Sequence, residues 1–294
     1  MKILFTADLH LSRATQEPTL LKVREWITRY RPDAFVVAGD LSSAQQAEET
    51  LKSLRDCFPM GPIAVCLGNH DFWMLDHSRR AGDSLSSIIN RHWAPAAKIY
   101  DVVLLDLENL ELQDVTIVGG YGHYDLGFAV PNLAFDGTLV TEEEYLRGSP
   151  AVNSAMRWRD FQFMPNERHL REVAYEQVEA VRKHLSEAGD ARTIAVLHTS
   201  PFEELLGVPP LRVLPPGSEP SIYAFFRAYL GNHSMGKLLR ETPTNLTAVV
   251  CGHTHRQVGP INLGKTIGIN IGSDYGVPKA ALYTDDLSRF SRCE

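Results

Sequence analysis

The sequence predicts an α/β fold built on parallel β-α-β units. Three observations carry this. Short apolar runs of strand length recur, amphipathic stretches of helix length separate them, and a glycine or a polar cluster closes each run. Residues 2–6 (KILFT) form the first strand. A helix over 19–30 comes next, with Leu20, Val23, Trp26 and Ile27 on one face, and Arg31-Pro32-Asp33 breaks it. Residues 34–38 (AFVVA) form a second strand closed by Gly39, a helix runs over 43–57, and residues 62–67 (PIAVCL) form a third strand closed by Gly68. From about 99 the pattern becomes YDVVLLDLENLELQDVTIVGG, three short strands close together, which predicts hairpins and antiparallel pairing. An irregular stretch over about 121–170 leads into a helix at 171–188 and a strand at 193–197 (TIAVL). A proline-rich stretch over about 201–220 precedes a helical stretch at 222–240 and a buried strand at 247–251 (TAVVC). Residues 265–283 alternate glycine with β-branched residues and read as strands.

The 294 residues are 44% hydrophobic and 22% charged, which suits a sizeable core and excludes a disordered, collagen-like or coiled-coil chain. Asp plus Glu outnumber Lys plus Arg by 36 to 29, a net charge of -7. That balance disfavours retention on nucleic acid by bulk positive charge, although a local basic groove stays open. No apolar run reaches the ~18 residues of a membrane span. The opening MKILFTAD stops at Asp8, too early for a signal peptide, and reads as a strand. Cys57, Cys66, Cys251 and Cys293 show no close pairing, so a cytoplasmic protein without membrane contact is expected.

The most informative residues lie just past the strands. Asp8-Leu9-His10 stands after the first, Gly39-Asp40 after the second and Gly68-Asn69-His70-Asp71 after the third. His198 comes directly after the strand at 193–197, and Gly252-His253-Thr254-His255 after the strand at 247–251. In open α/β sheets ligands bind beyond the carboxyl ends of strands, so five strands deliver polar termini to one rim. Histidine, carboxylate and amide oxygen suit Mn, Fe, Zn or Co. Asp8 and His10 are two apart, as are His253 and His255, and in extended backbone such pairs point the same way. The glycines at 39, 68 and 252 are expected to let the backbone turn sharply before each ligand.

This ordered set resembles the signature of the calcineurin-like metallophosphoesterase superfamily: D-x-H, G-D, G-N-H-D/E, H and G-H-x-H. Here it reads DLH (8–10), GD (39–40), GNHD (68–71), H (198) and GHTH (252–255). The resemblance implies a two-sheet sandwich flanked by helices, four layers in the order αββα. It implies one domain over 1–294 with insertions at about 121–170 and 201–243. It also implies two divalent or mixed-valence ions, drawn from Mn, Fe and Zn. Asp8, His10, Asp40 and His255 would hold one, and Asp40, Asn69, His198 and His253 the other, with Asp40 bridging. His70 would face the substrate, with Asp71 orienting it. Two divalent ions carry four positive charges, of which Asp8, Asp40 and a bridging hydroxide cancel three, leaving a centre attractive to phosphate. The expected reaction is direct attack of that hydroxide on a phosphomonoester or phosphodiester of a small molecule. A nuclease using the same centre is the first alternative, disfavoured by the net charge. A non-catalytic protein-binding scaffold is the second, disfavoured because every ligand position is filled.

Other motifs fail. Gly259 to Thr266 fits G-x-x-x-x-G-K-[ST], but the sequel IGINIGSDYG is strand rather than helix, so a hairpin turn is expected in place of a phosphate loop. Cysteine phosphatase chemistry needs arginine at 257, which is Gln257. The aspartyl-nucleophile pattern D-x-D fails because His10 stands two after Asp8. A dinucleotide fingerprint from Gly120 and Gly122 fails at Asp125. Arg13 and His123 are candidate substrate contacts. Arg157-Trp158-Arg159 reads as a solvated helix face, with phosphate or base binding as the alternative. Segment 121–170 holds eight of the 26 aromatic residues, either a lid over the rim or an ordinary subdomain.

Overall fold

Apolar runs without alternation predict strands covered on both faces, and the computed structural model shows this. It describes residues 1–12, 14–75, 83–165, 169–208, 221–242, 245–285 and 289–294. Strand β1 (Lys2–Thr6) pairs in parallel with β2 (Ala34–Ala38), which pairs in parallel with β3 (Ile63–Cys66), and β4 (Val102–Leu104) extends that sheet beside β3. The helix Gln16–Tyr30 connects β1 to β2, and the helix Ala47–Cys57 connects β2 to β3. Strand β5 (Leu110–Leu112) then turns back antiparallel onto β6 (Val115–Gly120) in a second sheet. A two-residue pair, β7 (Ala134–Phe135) with β8 (Thr138–Leu139), stands apart. Strand β9 (Arg192–Leu197) lies parallel to β6, and β10 (Leu246–Cys251) parallel to β9. Strands β11 (Val258–Leu263) and β12 (Thr266–Asn270) form a hairpin at the edge of the second sheet. Strands β13 (Ala280–Thr284) and β14 (Arg289–Arg292) return to the first, giving orders β14-β13-β1-β2-β3-β4 and β11-β12-β10-β9-β6-β5.

The two sheets pack face to face through Ile3, Phe5, Val36 and Ala64 on one side and Ile117, Ile194, Val196 and Val250 on the other. The outer face of the first sheet packs on Val23, Trp26, Leu51 and Leu54 of its helices. The outer face of the second packs on Val178, Val181 and Leu185 of the helix Leu170–Ala188 and on Leu238 of the helix His233–Glu241. This is the four-layer αββα sandwich, and it gathers the carboxyl ends of β1, β2, β3, β9 and β10 on one rim.

Two local expectations change. The strands near 99–120 do not form a common antiparallel set: β4 adds in parallel to the first sheet before the chain crosses to the second. The stretch 222–240 is not one helix. Gly231 bridges Ser200, and a Cβ there would meet the Ser200 carbonyl oxygen at 2.1 Å, so the chain breaks between Tyr223–Phe226 and His233–Glu241. The phosphate-loop lookalike is the β11–β12 turn, with Leu263 paired to Thr266. The aromatic segment packs Tyr124, Phe135 and Tyr145 against Phe225 and Tyr229, a core of its own at the rim. Among the described residues, no helix is long and apolar enough to cross a membrane.

Candidate active site

The loops after β1 and β2 run side by side past the strand ends. The Asp8 amide donates to the Gly39 carbonyl (3.0 Å) and the His10 amide to the Asp40 carbonyl (2.9 Å). Asp8, His10, Asp40, His253 and His255 all adopt left-handed backbone, with φ of 52°, 42°, 51°, 69° and 54°. The side-chain pairs do converge on one pocket, but through this backbone and not through the extended one that i, i+2 spacing suggested. Each such residue costs on the order of 1–3 kcal/mol, strain that surrounding structure must hold. The glycines act differently from expectation too. Only Gly39 has positive φ, whereas Gly68 and Gly252 make room: a Cβ on Gly68 would lie 2.2 Å from Asp40 Oδ1, and one on Gly252 2.5 Å from Asp8 Oδ2. Gly68→Ala is therefore expected to displace the Asp40 carboxylate, lowering both bound metal and unfolding free energy, the latter by about 1–3 kcal/mol. Metal analysis and urea denaturation check this; unchanged metal content would refute it.

Two groups of donor atoms result. One oxygen or nitrogen each from Asp8, His10, Asp40 and His255 lie within 4.8 Å of one another, and so do those of Asp40, His198 and His253. Asp40 belongs to both groups. Asn69 Oδ1 lies 3.0 Å from His198 Nε2 and 3.0 Å from His253 Nδ1, which are 3.2 Å apart. Asp40 Oδ1 lies 3.3 Å from His198 Nε2, and His10 Nε2 lies 3.0 Å from His255 Nε2.

The hydrogen bonds behind these atoms settle which of them carry protons. His198 Nδ1 donates to the Ala38 carbonyl (3.0 Å), and His253 Nε2 donates to the Tyr229 carbonyl (2.9 Å). His255 Nδ1 donates to Asp274 Oδ1 (3.3 Å). Asn69 Nδ2 donates to Asp160 Oδ1 (2.9 Å), so its oxygen faces the histidines. With neutral rings, Asn69 Oδ1, His198 Nε2 and His253 Nδ1 present three lone pairs to one another with no proton between them. Asp8 Oδ2 is buried without a hydrogen-bond partner. A cation resolves both, and the donor set fits one. Burial lowers the affinity of His198 for a proton, but Asp40, Asp8 and the Ala38 carbonyl outweigh that and raise its pKa to about 9. Burial drives His10 and His253 down to about 3, the neutral form that ligates. Burial pushes the Asp40 carboxyl up, but His198, His70 and His10 override it and hold it well below the usual range.

The calcineurin-like phosphoesterase profile matches residues 1–257. The chain belongs to that family. It is a metal-dependent hydrolase of phosphate esters, and the family implies a binuclear divalent centre. No curated protein matches the sequence. Among solved structures the fold is similar to the phosphopantetheinyl hydrolase PptH of Mycobacterium tuberculosis, at 17% identity over 94% of this chain and 90% of that one, with a TM-score of 0.63. It is similar as well to the protein TT1561 of Thermus thermophilus, at 14% identity over 100% of this chain and 98% of that one, with a TM-score of 0.55. These likenesses concern the fold.

Within this phosphoesterase, the remaining expected residues fall in different places. His70 stands at the mouth, Nε2 3.9 Å from Asp40 Oδ2, its ring stacked on Trp73 at 3.7 Å. Asp71 does not orient it. Its Oδ1 accepts the Leu41 and Ser42 amides (2.9 Å each) and its Oδ2 the Gly68 amide (2.7 Å), so it staples the loops after β2 and β3. His123 is corrected likewise: it is buried between Tyr121 and Tyr124, and burial lowers its pKa to about 3. It lines a separate small cavity behind the site. Arg13 lies outside the described residues.

A cleft of about 540 Å³ opens over the two groups, walled by His70, Trp73, Trp158, Tyr223 and Tyr275. Arg157 and Arg159 line it from irregular chain, not from a helix face, and neither guanidinium forms a hydrogen bond or ion pair among the described residues. Several participants escaped the sequence reading. Asp274 orients His255, and Tyr275 stacks on His10 at 4.2 Å. Asp106 accepts the amides of Leu67 and Tyr121 (2.8 Å each), tying the end of β3 to the end of β6 across the sandwich; burial pushes its carboxyl up to about 6. Asp160 lies behind Asn69.

Proposed function

We propose that this phosphoesterase hydrolyses a small phosphorylated molecule, monoester or diester, at two divalent cations. Asp8, His10, Asp40 and His255 would hold one, and Asp40, Asn69, His198 and His253 the other. The observation that carries this reading is the convergence of Asn69 Oδ1, His198 Nε2 and His253 Nδ1 beside a carboxylate shared between both groups. Bound ions would neutralise phosphoryl charge and bring the pKa of water towards neutrality. The protein's own groups supply the rest. His70 Nε2, at the cleft mouth beside Asp40, is placed to give a proton to the leaving oxygen or a hydrogen bond to the phosphoryl group. The guanidinium groups of Arg157 and Arg159, unpaired among the described residues, attract further anionic charge on the substrate. Exposed Tyr223 and Tyr275 give flat surfaces for an organic moiety. Among the described residues two arginines line the cleft, fewer than the phosphate-spaced track that a long nucleic acid needs, and with a net charge of -7 this favours a small molecule over a nuclease substrate.

The test is metal analysis combined with turnover of an aryl phosphate monoester and diester pair. Chelation is expected to abolish turnover, and added Mn²⁺ or Zn²⁺ to restore it with two ions per chain. Undiminished turnover by fully metal-stripped protein would overturn the reading.

A further inference from the structure

Asp160 is a carboxylate only 2% exposed, contributed by the aromatic segment rather than by any strand end. Both its oxygens are engaged. Oδ1 accepts from Asn69 Nδ2 (2.9 Å) and Trp73 Nε1 (2.7 Å). Oδ2 accepts from Trp158 Nε1 (2.8 Å) and Tyr124 OH (3.2 Å). An amide is a two-faced group, and only its oxygen is a ligand. Were Asn69 turned over, its NH₂ would face His198 Nε2 and His253 Nδ1 and donate to them, filling the place of a cation. An ionised carboxylate accepts and never donates, so Asp160 selects the orientation in which the Asn69 oxygen faces the histidines. The same carboxylate takes the indole N–H of Trp73, on which His70 stacks, and that of Trp158, whose neighbours Arg157 and Arg159 line the cleft.

We propose that Asp160 is the positioning residue of the Asn69 cation site, and that it ties the order of this site to docking of the 157–160 segment. The inference rests on the two-cation reading above. Asp160 belongs to neither donor group and lies at the floor of the cleft, 2% exposed, and it acts by choosing which face of the Asn69 amide is presented. Hydrogen-bonded partners behind metal ligands change affinity by about 10–100-fold when removed.

The test is Mn²⁺ binding to the full chain, by calorimetry and electron paramagnetic resonance. Asp160→Asn keeps the shape but supplies an NH₂ where two donors already point. It is expected to weaken the Asn69 site by about 10–100-fold while the Asp8–His10–His255 site keeps its affinity. The spectrum of a coupled Mn pair should give way to that of isolated Mn²⁺ at concentrations that fill both sites of the parent. Tyr124→Phe, which removes a donor from the same carboxylate without touching Asn69, is expected to retain the coupled pair. Asn69→Ala is expected to lose the same site, and adding Asp160→Asn to it should weaken binding no further. Where Asp160→Asn folds poorly, Asp160→Glu decides instead: an acceptor of altered reach should leave the Asn69 site filled at reduced affinity, and a weakening spread equally over both sites would overturn the proposal. Parent affinity and a coupled spectrum in Asp160→Asn would overturn the proposal. Two ions retained by Asn69→Ala would instead overturn the ligand assignment on which it rests.

Discussion

Asp40→Asn is expected to release both metal ions and abolish nearly all turnover. Asp40 is 2% exposed and its carboxylate faces both donor groups. Oδ1 accepts the His70 amide at 2.9 Å and lies 3.3 Å from His198, and Oδ2 lies 3.7 Å from His10. An amide would place an NH₂ on one of these two sides, so at least one group loses an oxygen donor. It also removes a full negative charge from both groups in surroundings of low dielectric, which neither group can replace. The fold should survive, because the strands that carry these loops are packed independently of the carboxylate. Charge stabilisation worth about 4 kcal/mol corresponds to roughly 10³-fold in rate at 1.36 kcal/mol per decade. Elemental analysis of the folded variant beside turnover of the aryl ester pair checks this. A variant holding two ions per chain would contradict the shared role of Asp40.

The five strand-end blocks were legible because fully buried strands write continuous apolar runs, and each run stops where polar side chains emerge at the rim. Topology then brings together residues as distant as Asp8 and His253, whose amide donates to Asp8 Oδ1 at 2.8 Å. The residues that stayed hidden did so for a common physical reason. The family resemblance implied Asp71 as the partner of His70, but the tight helical turn over His70–Phe72 sends the two side chains to opposite sides, one towards the cleft mouth and one into the loop interior. His123 comes after a strand as the clustered histidines do, yet its carbonyl accepts from Asn232 and its ring packs inward. Asp160 acts on a residue 91 positions away from a segment without periodicity, so no local pattern announces it. The left-handed backbone of five site residues is equally invisible. Spacing gave the right convergence for the wrong geometry, since strain at a site is held by tertiary contacts and not by local preference.

His70→Ala should keep both ions and slow turnover by roughly 10²–10⁴. The imidazole belongs to neither donor group, and its Nε2 stands 3.9 Å from Asp40 with access to the cleft. Since Asp71 is committed to three backbone amides, the ring is held by its stack on Trp73 and its edge contact with His10 at 4.6 Å. A ring held by stacking keeps its plane but can slide, which suits a group that must follow an oxygen as a bond breaks. The leaving group separates its two available roles. If Nε2 protonates the departing oxygen, the loss should be small for a nitrophenolate and grow as the leaving group becomes more basic. If it stabilises the phosphoryl oxygens, the loss should be uniform along the series. Either pattern keeps His70 in the reaction. Parent-like turnover on a poor leaving group, with both metals bound, would remove it.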